Sequence, residues 1–328
     1  MRESEGLYGD REGIPRVGKG KKLLITGGRG MVGRNLIACA ARSGWEIIAP
    51  TSVDLDLRNA EAVEQYIRRQ LPDVVVHAAG VVGGIHANIA DPIHFLADNA
   101  AMALNVVMSS FRSEVVTLIN LSSSCMYPAC IEGPLKECDI LRGPFEVTNE
   151  GYALAKTVGL KICEYIDKLP NFNYKTLIAC NLYGVGDNFD PRRSHLLPAI
   201  IEKIHKASQC GSESVSIWGD GTARREFMFA YDFAKIIIKA LEVPELIPSS
   251  MNVGVGKDLS VLEYYSLVAR VIGWSGEFVY DLNRPVGMRS KLMDITHLTA
   301  LGWVPERSLE GGIRSTYQYY ITGNEVYE

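Results

Sequence analysis

Lys22-Leu23-Leu24-Ile25-Thr26-Gly27-Gly28-Arg29-Gly30-Met31-Val32-Gly33 runs from a short apolar segment through a glycine cluster into a helical pattern. The continuous run Leu23-Leu24-Ile25 suits a strand buried on both faces, and the apolar spacing from Met31 to Arg42 suits a helix packed on one side. Gly27, Gly30 and Gly33 stand between them at the spacing G-x-x-G-x-x-G. Without side chains the backbone can turn tightly and approach a pyrophosphate, which then rests on the amides at the positive end of the helix. Strand before and helix after are the context that a dinucleotide-binding loop needs.

The pattern repeats outward from that stretch. Glu46-Ile47-Ile48-Ala49, Val74-Val75-Val76-His77 and Val116-Thr117-Leu118-Ile119-Asn120-Leu121 read as strands, with helical stretches near 59–70 and 92–112 between them. Alternation of this kind predicts an α/β fold, a doubly wound parallel sheet of the Rossmann type. Residues 21–185 are expected to form the dinucleotide-binding domain, with a return segment at about 228–255. Pro191, Pro198, Pro244 and Pro248 break the second half into short pieces, as expected of a smaller lobe, and residues 186–227 and 256–328 are expected to form it and to bind substrate. Within it, Leu196 to Ala207 reads as a helix, Val215 to Trp218 as a strand and Gly219-Asp220-Gly221-Thr222 as a turn. Residues 1–20, polar and without periodicity, read as a flexible tail.

Bulk properties narrow the partners. The 328 residues are 47% hydrophobic and 22% charged with net charge −4, so no excess of positive charge draws the chain to nucleic acid or anionic lipid. No apolar run approaches the 18 or so residues that span a bilayer, and a cytoplasmic location is expected. The seven cysteines lack paired zinc-ligand spacing and do not suit a disulfide framework, so no metal is expected and free thiols are. Packing is the default role for all except Cys125.

Cofactor preference follows from charge. An acid at the end of the second strand would hold the ribose hydroxyls of NAD, whereas here that strand runs out as Ala49-Pro50-Thr51-Ser52. Arg29, inside the glycine loop, is a ready partner for a 2′-phosphate, which favours NADP(H). Asp54 and Asp56 follow closely and are either ribose ligands or loop and capping residues.

Tyr152 and Lys156 are four residues apart and share one face of a helix. An ammonium beside a phenol is expected to lower the phenol's pKa, fitting Tyr152 to donate a proton to a carbonyl under reduction. Ser123, just past the strand ending at Leu121, is placed to hydrogen-bond the same oxygen.

These motifs resemble the extended short-chain dehydrogenase/reductases, and within them the GDP-L-fucose synthase family of GDP-4-keto-6-deoxymannose epimerase-reductases. The likeness runs from about Lys21 to Gln318. Its most specific stretches are Gly-Gly-Arg-Gly-Met-Val-Gly at 27–33, Val-Gly-Gly-Ile-His-Ala-Asn at 82–88, Ser-Ser-Cys-Met-Tyr-Pro at 123–128 and Thr-Asn-Glu-Gly-Tyr-Ala-Leu-Ala-Lys at 148–156. Asn-Leu-Tyr-Gly at 181–184, Ser-His-Leu-Leu-Pro at 194–198, Trp-Gly-Asp-Gly-Thr at 218–222 and Arg-Arg-Glu-Phe at 224–227 add to it.

The resemblance implies two stages in one site. Cys125 and His195 would exchange the acidic protons on C3 and C5 of a 4-keto sugar, and reduction at C4 would then use Ser123, Tyr152 and Lys156. It implies cofactor contacts from Gly27, Arg29, Gly30, Met31, Val32, Gly33, Leu121, Ser122, Lys156, Asn181, Leu182 and His195. Substrate contacts carried over are Lys203, where the family has arginine, with Trp218, Arg225 and Lys291. Arg284-Pro285-Val286-Gly287 departs from the family's Lys-Pro-Asp-Gly, and Pro50 and Ser52 replace arginines. A homodimer through the helices at 92–112 and around Tyr152 is expected, in which Ala100, Ala101, Ala103, Leu104 and Val107 either form the packed face or simply cover the sheet. A 4,6-dehydratase would carry an Asp-Glu pair where this chain has Ser124-Cys125, and a UDP-galactose-type 4-epimerase needs no Cys–His pair. A sibling enzyme acting on another GDP-4-keto sugar, giving GDP-L-colitose or a heptose, differs only in its sugar pocket.

Overall fold

The computed structural model describes residues 18–284 and 287–327. The expected tail up to residue 17, and Val286 with its neighbour Pro285, lie outside the described residues. Residues 18–20 form a turn, closed by the Lys21 N–H donating to Gly18 O at 3.1 Å.

The first half alternates as its periodicity predicts. Strands β1 (Lys22–Thr26), β2 (Glu46–Ile48), β3 (Val74–His77), β4 (Thr117–Ser123) and β5 (Asn173–Ala179) are linked by helices α1 (Met31–Arg42), α2 (Ala60–Gln70), α3 (Ile85–Ala90), α4 (Pro92–Arg112) and α5 (Glu150–Ile166). The second half continues through β6 (Asn181–Tyr183), α6 (Leu196–Cys210), β7 (Ser214–Trp218), β8 (Arg224–Arg225), β9 (Phe227–Phe229), α7 (Ala230–Glu242) and β10 (Ser250–Val253). It closes with β11 (Leu259–Ser260), α8 (Val261–Ile272), β12 (Glu277–Asp281), α9 (Thr296–Ala300) and α10 (Leu309–Thr322).

Strand order in the main sheet is β2-β1-β3-β4-β5-β10, and every pair is parallel. Successive strand residues point to opposite faces, which divides the core in two. Leu23, Ile25, Val76 and Ile119 pack with α1 and α7 residues such as Leu36 and Ile237, whereas Leu24, Val75 and Leu118 pack with Val63, Ile67, Val106 and Cys163 of α2, α4 and α5. Each fully buried Leu, Ile or Val contributes about 1.5–3 kcal/mol, so a sheet covered on both faces needs the near-continuous apolar runs that the sequence supplies. The chain leaves β1 for β2 on one side and returns to β3 on the other. Its glycine loop therefore opens at the switch point, where open α/β sheets bind ligands.

The second half supplies a smaller unit beside that edge, where β7 pairs with β12 and β8 with β11. Glu226, wholly buried, fastens three segments of it. Its carboxylate accepts from Val255 N at 2.5 Å, Gly256 N at 2.7 Å and Met293 N at 2.9 Å.

Two expectations need correction. Cys130, Cys138 and Cys210 are exposed, so packing explains only Cys39, Cys163 and Cys180 among the six cysteines assigned to it. On α4, Ala103 and Val107 are buried against α5 and the sheet rather than offered to a partner, because the same stripe must cover the core. The exposed apolar residues of that helix pair are Ile93, Leu96 and Leu104 on α4 with Leu154 and Tyr165 on α5.

Candidate active site

The glycine loop leaves β1 with Gly27 at φ +74°. A Cβ on Gly33 would lie 2.2 Å from Gly27 O, so helix and loop can approach this closely only without a side chain there. Gly30 caps α1 with no side-chain hydrogen bond, which leaves the first helical amides, Met31, Val32 and Gly33 among them, for a ligand. These residues line a cleft of about 740 Å³ that also takes in Arg29, Leu121, Ser122, Ser123, Tyr152, Lys156, Asn181, Leu182 and His195. A cradle that a single Cβ would fill, at an uncapped helix end, fits the pyrophosphate of a dinucleotide.

The two acids beyond β2 resolve differently. Asp54 turns back on its own loop, accepting from Thr51 N at 2.9 Å and Thr51 Oγ1 at 2.7 Å, and these bonds hold its carboxyl below the usual range, with a small further contribution from Arg29. It is a loop-capping residue. Asp56 lines the cleft and is paired with Arg58 at 2.9 Å, which holds its carboxyl down at about 2. Arg58, unremarked in the sequence, puts a second cation beside Arg29 at this end of the cleft.

At the other end, β4 delivers Ser123 and a 3-10 turn at Ser124–Met126 places Cys125. The Cys125 thiol is 5% exposed and donates to Ser123 O at 3.7 Å. Burial raises its pKa, while Lys291 and, more weakly, Lys156 pull it back down. Lys156 donates to Leu121 O at 3.0 Å and sits 5.6 Å from the centre of the Tyr152 ring. Burial brings its ammonium down to about 8.

The tyrosine does not follow the sequence expectation. Burial, with a smaller contribution from Cys125, raises the Tyr152 phenol well above its ordinary value, so desolvation of the phenolate and not a neighbouring ammonium sets its titration. Tyr152 therefore stands as a neutral O–H donor at any physiological pH. His195 caps α6 without a capping hydrogen bond, and surrounding protein lowers its imidazole below the ordinary value although the residue opens to the cleft.

The expected substrate residues lie beyond the cofactor end, on the smaller unit. Lys203 Nζ stands 5.2 Å from the Trp218 ring centre and donates to Ser216 O at 3.3 Å. Burial lowers the Lys291 ammonium and Arg225 adds to that, while Cys125 and Glu146 oppose it, so Lys291 stands near both the thiol and this cationic region. Sequence reading assigned no role to His86, Arg284, Glu146 or Asp187. His86 and Arg284 both contact the Trp218 ring. Asp187 lines the cleft with one oxygen accepting from Asn188 N at 2.8 Å and the other unpartnered among the described residues, and burial pushes it up to about 7.

A glycine loop at the switch point of a parallel sheet, opening on a cleft lined by a tyrosine and a lysine one helical turn apart, defines a dinucleotide-dependent enzyme. The chain belongs to the NAD dependent epimerase/dehydratase family, whose model matches residues 23–254. It is 46% identical to a GDP-L-colitose synthase of Yersinia pseudotuberculosis over 301 residues, 92% of this chain and 98% of the relative. A GDP-L-fucose synthase of Escherichia coli is 35% identical over 314 residues, 93% and 98% of the two chains. Among solved structures, a GDP-mannoheptose C4 reductase from Campylobacter jejuni with NADP bound superposes with a TM-score of 0.85 at 30% identity, covering 94% of this chain and all of that one. The chain is thus an enzyme of the NAD(P)-dependent epimerase/reductase type. Among the described residues no helix is long and apolar enough to cross a membrane.

Proposed function

We propose that this enzyme takes a GDP-4-keto-6-deoxy sugar, epimerises it beside the ketone and reduces it at C4 with NADPH. The observation that carries the reading is the shared cleft, which joins Ser123, Tyr152, Lys156 and His195 to the glycine loop while the Cys125 thiol lies close enough to feel both Lys156 and Lys291. NADP(H) would rest on the Gly27–Gly33 loop, its 2′-phosphate on Arg29 and its nicotinamide ribose on Lys156. When bound, it supplies the hydride that reduces the ketone.

The residues of the chain do the rest. A C4 carbonyl acidifies the protons on C3 and C5. Cys125 and His195 remove and return these protons, the imidazole being mostly neutral at pH 7 and so able to act as a base. Ser123 donates a hydrogen bond to the C4 oxygen, and Tyr152, held neutral by burial, delivers its proton to that oxygen. Lys203, Trp218, Arg225 and Lys291 hold the nucleotide-diphosphate portion and the sugar. With GDP-4-keto-6-deoxy-D-mannose the outcome is 3,5-epimerisation, 4-reduction and GDP-L-fucose.

A second reading has the 46% identity to a GDP-L-colitose synthase behind it. Its 3,6-dideoxy substrate carries a methylene at C3, which is no stereocentre, so only C5 would invert. Following NADPH absorbance with purified protein on both 4-keto sugars and a heptose separates these. Turnover confined to the 3-deoxy substrate selects the second reading, and turnover of none sinks the function. We also propose a homodimer through the exposed residues of α4 and α5. A monomer mass by light scattering at micromolar concentrations would refute it.

A further inference from the structure

Three basic side chains from three distant parts of the sequence converge on the indole of Trp218. Lys203 of α6 stands 5.2 Å from its ring centre, the Arg284 guanidinium 5.3 Å, and the His86 ring meets it edge-on at 5.0 Å and 89°. Burial lowers the Lys203 ammonium and Arg284 lowers it further, with Glu202 opposing them, so an anion seated between the two cations would favour the charged lysine. Asp281 accepts from Asn283 N at 3.2 Å and pairs with Arg284 at 3.3 Å in an exposed ion pair. Lys203 is turned to Ser216 O and the Tyr265 hydroxyl, both neutral.

His86 is the unexpected member. It sits on the six-residue helix α3, which follows β3 directly after Val81, Val82 and Gly83 of the cleft lining. The segment is held in place by its own hydrogen bonds. Gly84 N donates to Arg193 O at 3.3 Å, just before His195, and the buried Asn88 amide donates back to Gly83 O at 2.9 Å and Gly84 O at 3.1 Å. The imidazole is exposed, and among the described residues its nitrogens have no hydrogen-bond partner. A ring placed only to pack on Trp218 would need no nitrogen at all.

We propose that His86 is a substrate-binding residue, donating an N–H to the diphosphate of a nucleoside diphosphosugar held between Lys203 and Arg284 against Trp218. This rests on the GDP-sugar reading above, and adds to it a contact from the cofactor-binding half that closes over the substrate. One hydrogen bond to a phosphate from a partly exposed donor accounts for roughly a three- to tenfold change in affinity.

The test uses GDP and NADPH as separate probes in calorimetric titrations of wild type, His86→Phe and His86→Gln. Phenylalanine keeps the edge contact with Trp218 and lacks the donor, whereas glutamine keeps a donor. The expected result is GDP binding weakened three- to tenfold in His86→Phe, largely restored in His86→Gln, and NADPH binding equal in all three. GDP binding by His86→Phe at the wild-type level overturns the role of His86 and leaves the GDP-sugar reading standing. Failure of the wild-type protein to bind GDP at all overturns both.

Discussion

Lys156→Met should make the protein more stable and catalytically inert. The ammonium sits where burial brings its pKa from 10.5 to about 8, which corresponds to a penalty of roughly 3 kcal/mol on the charged form. At pH 7 the lysine is charged in both folded and unfolded chains, so the folded state bears nearly all of that penalty. Methionine has similar length and no charge. It forfeits the bond to Leu121 O, worth about 1 kcal/mol, and leaves a net gain of about 2 kcal/mol. For 328 residues that is roughly 3 °C in Tm. The sign with pH is fixed by linkage. Between pH 8 and 10.5 the unfolded chain binds more protons at this site, so wild-type stability from this group rises with pH and the variant's advantage fades. Activity runs the other way: wild-type kcat/KM should fall above about pH 8 as the ammonium discharges. Scanning calorimetry of both proteins at pH 7 and 9.5, with a pH profile of NADPH oxidation, checks this. A Lys156→Met protein that melts below wild type at pH 7, or a wild-type kcat/KM flat through pH 9.5, would refute the reasoning.

Tyr152→Phe should lower kcat by about 10²–10⁴ with NADPH affinity kept, as expected for loss of a general acid; more than a tenth of wild-type activity would exclude that role. Gly33→Ala puts a methyl group 2.2 Å from Gly27 O, so fluorescence titration should show NADPH binding weakened at least tenfold. Wild-type affinity there would mean the loop can relax at no cost. Arg29→Ala should weaken NADPH binding and leave NADH binding nearly unchanged. Equal losses for both cofactors would remove Arg29 from the 2′-phosphate.

The Rossmann half was legible because its strands are buried on both faces and so spelt as apolar runs, as in Leu23-Leu24-Ile25 and Val74-Val75-Val76. Strand β5 was harder, since Lys175 interrupts it. That lysine is buried only because Asp167 meets it at 2.8 Å, a pairing that no local pattern announces. In the smaller unit β7 was read as a strand at Val215 to Trp218, but its partner β12 lies some sixty residues on, and the two-residue strands β8 and β11 carry too little periodicity to be read alone. The same limit governs the site. Tyr152 and Lys156 share a helix, so their spacing tells of their contact, whereas His86 and Trp218 meet only through the tertiary fold. Burial is equally invisible in a motif, which is why Tyr152 was expected to have a lowered pKa and has a raised one.

The central claim is that one site both moves protons beside the ketone and reduces it. Incubating the enzyme with GDP-4-keto-6-deoxymannose in deuterated water, without NADPH, and following the sugar by NMR tests it most directly. The account predicts deuterium at C3 and C5, slowed strongly by Cys125→Ser, because a serine hydroxyl is a far weaker acid and base near pH 7, and much less by Tyr152→Phe. No deuterium uptake by wild-type protein that still consumes NADPH on the same sugar would contradict it, leaving a C4 reductase in which Cys125 only packs.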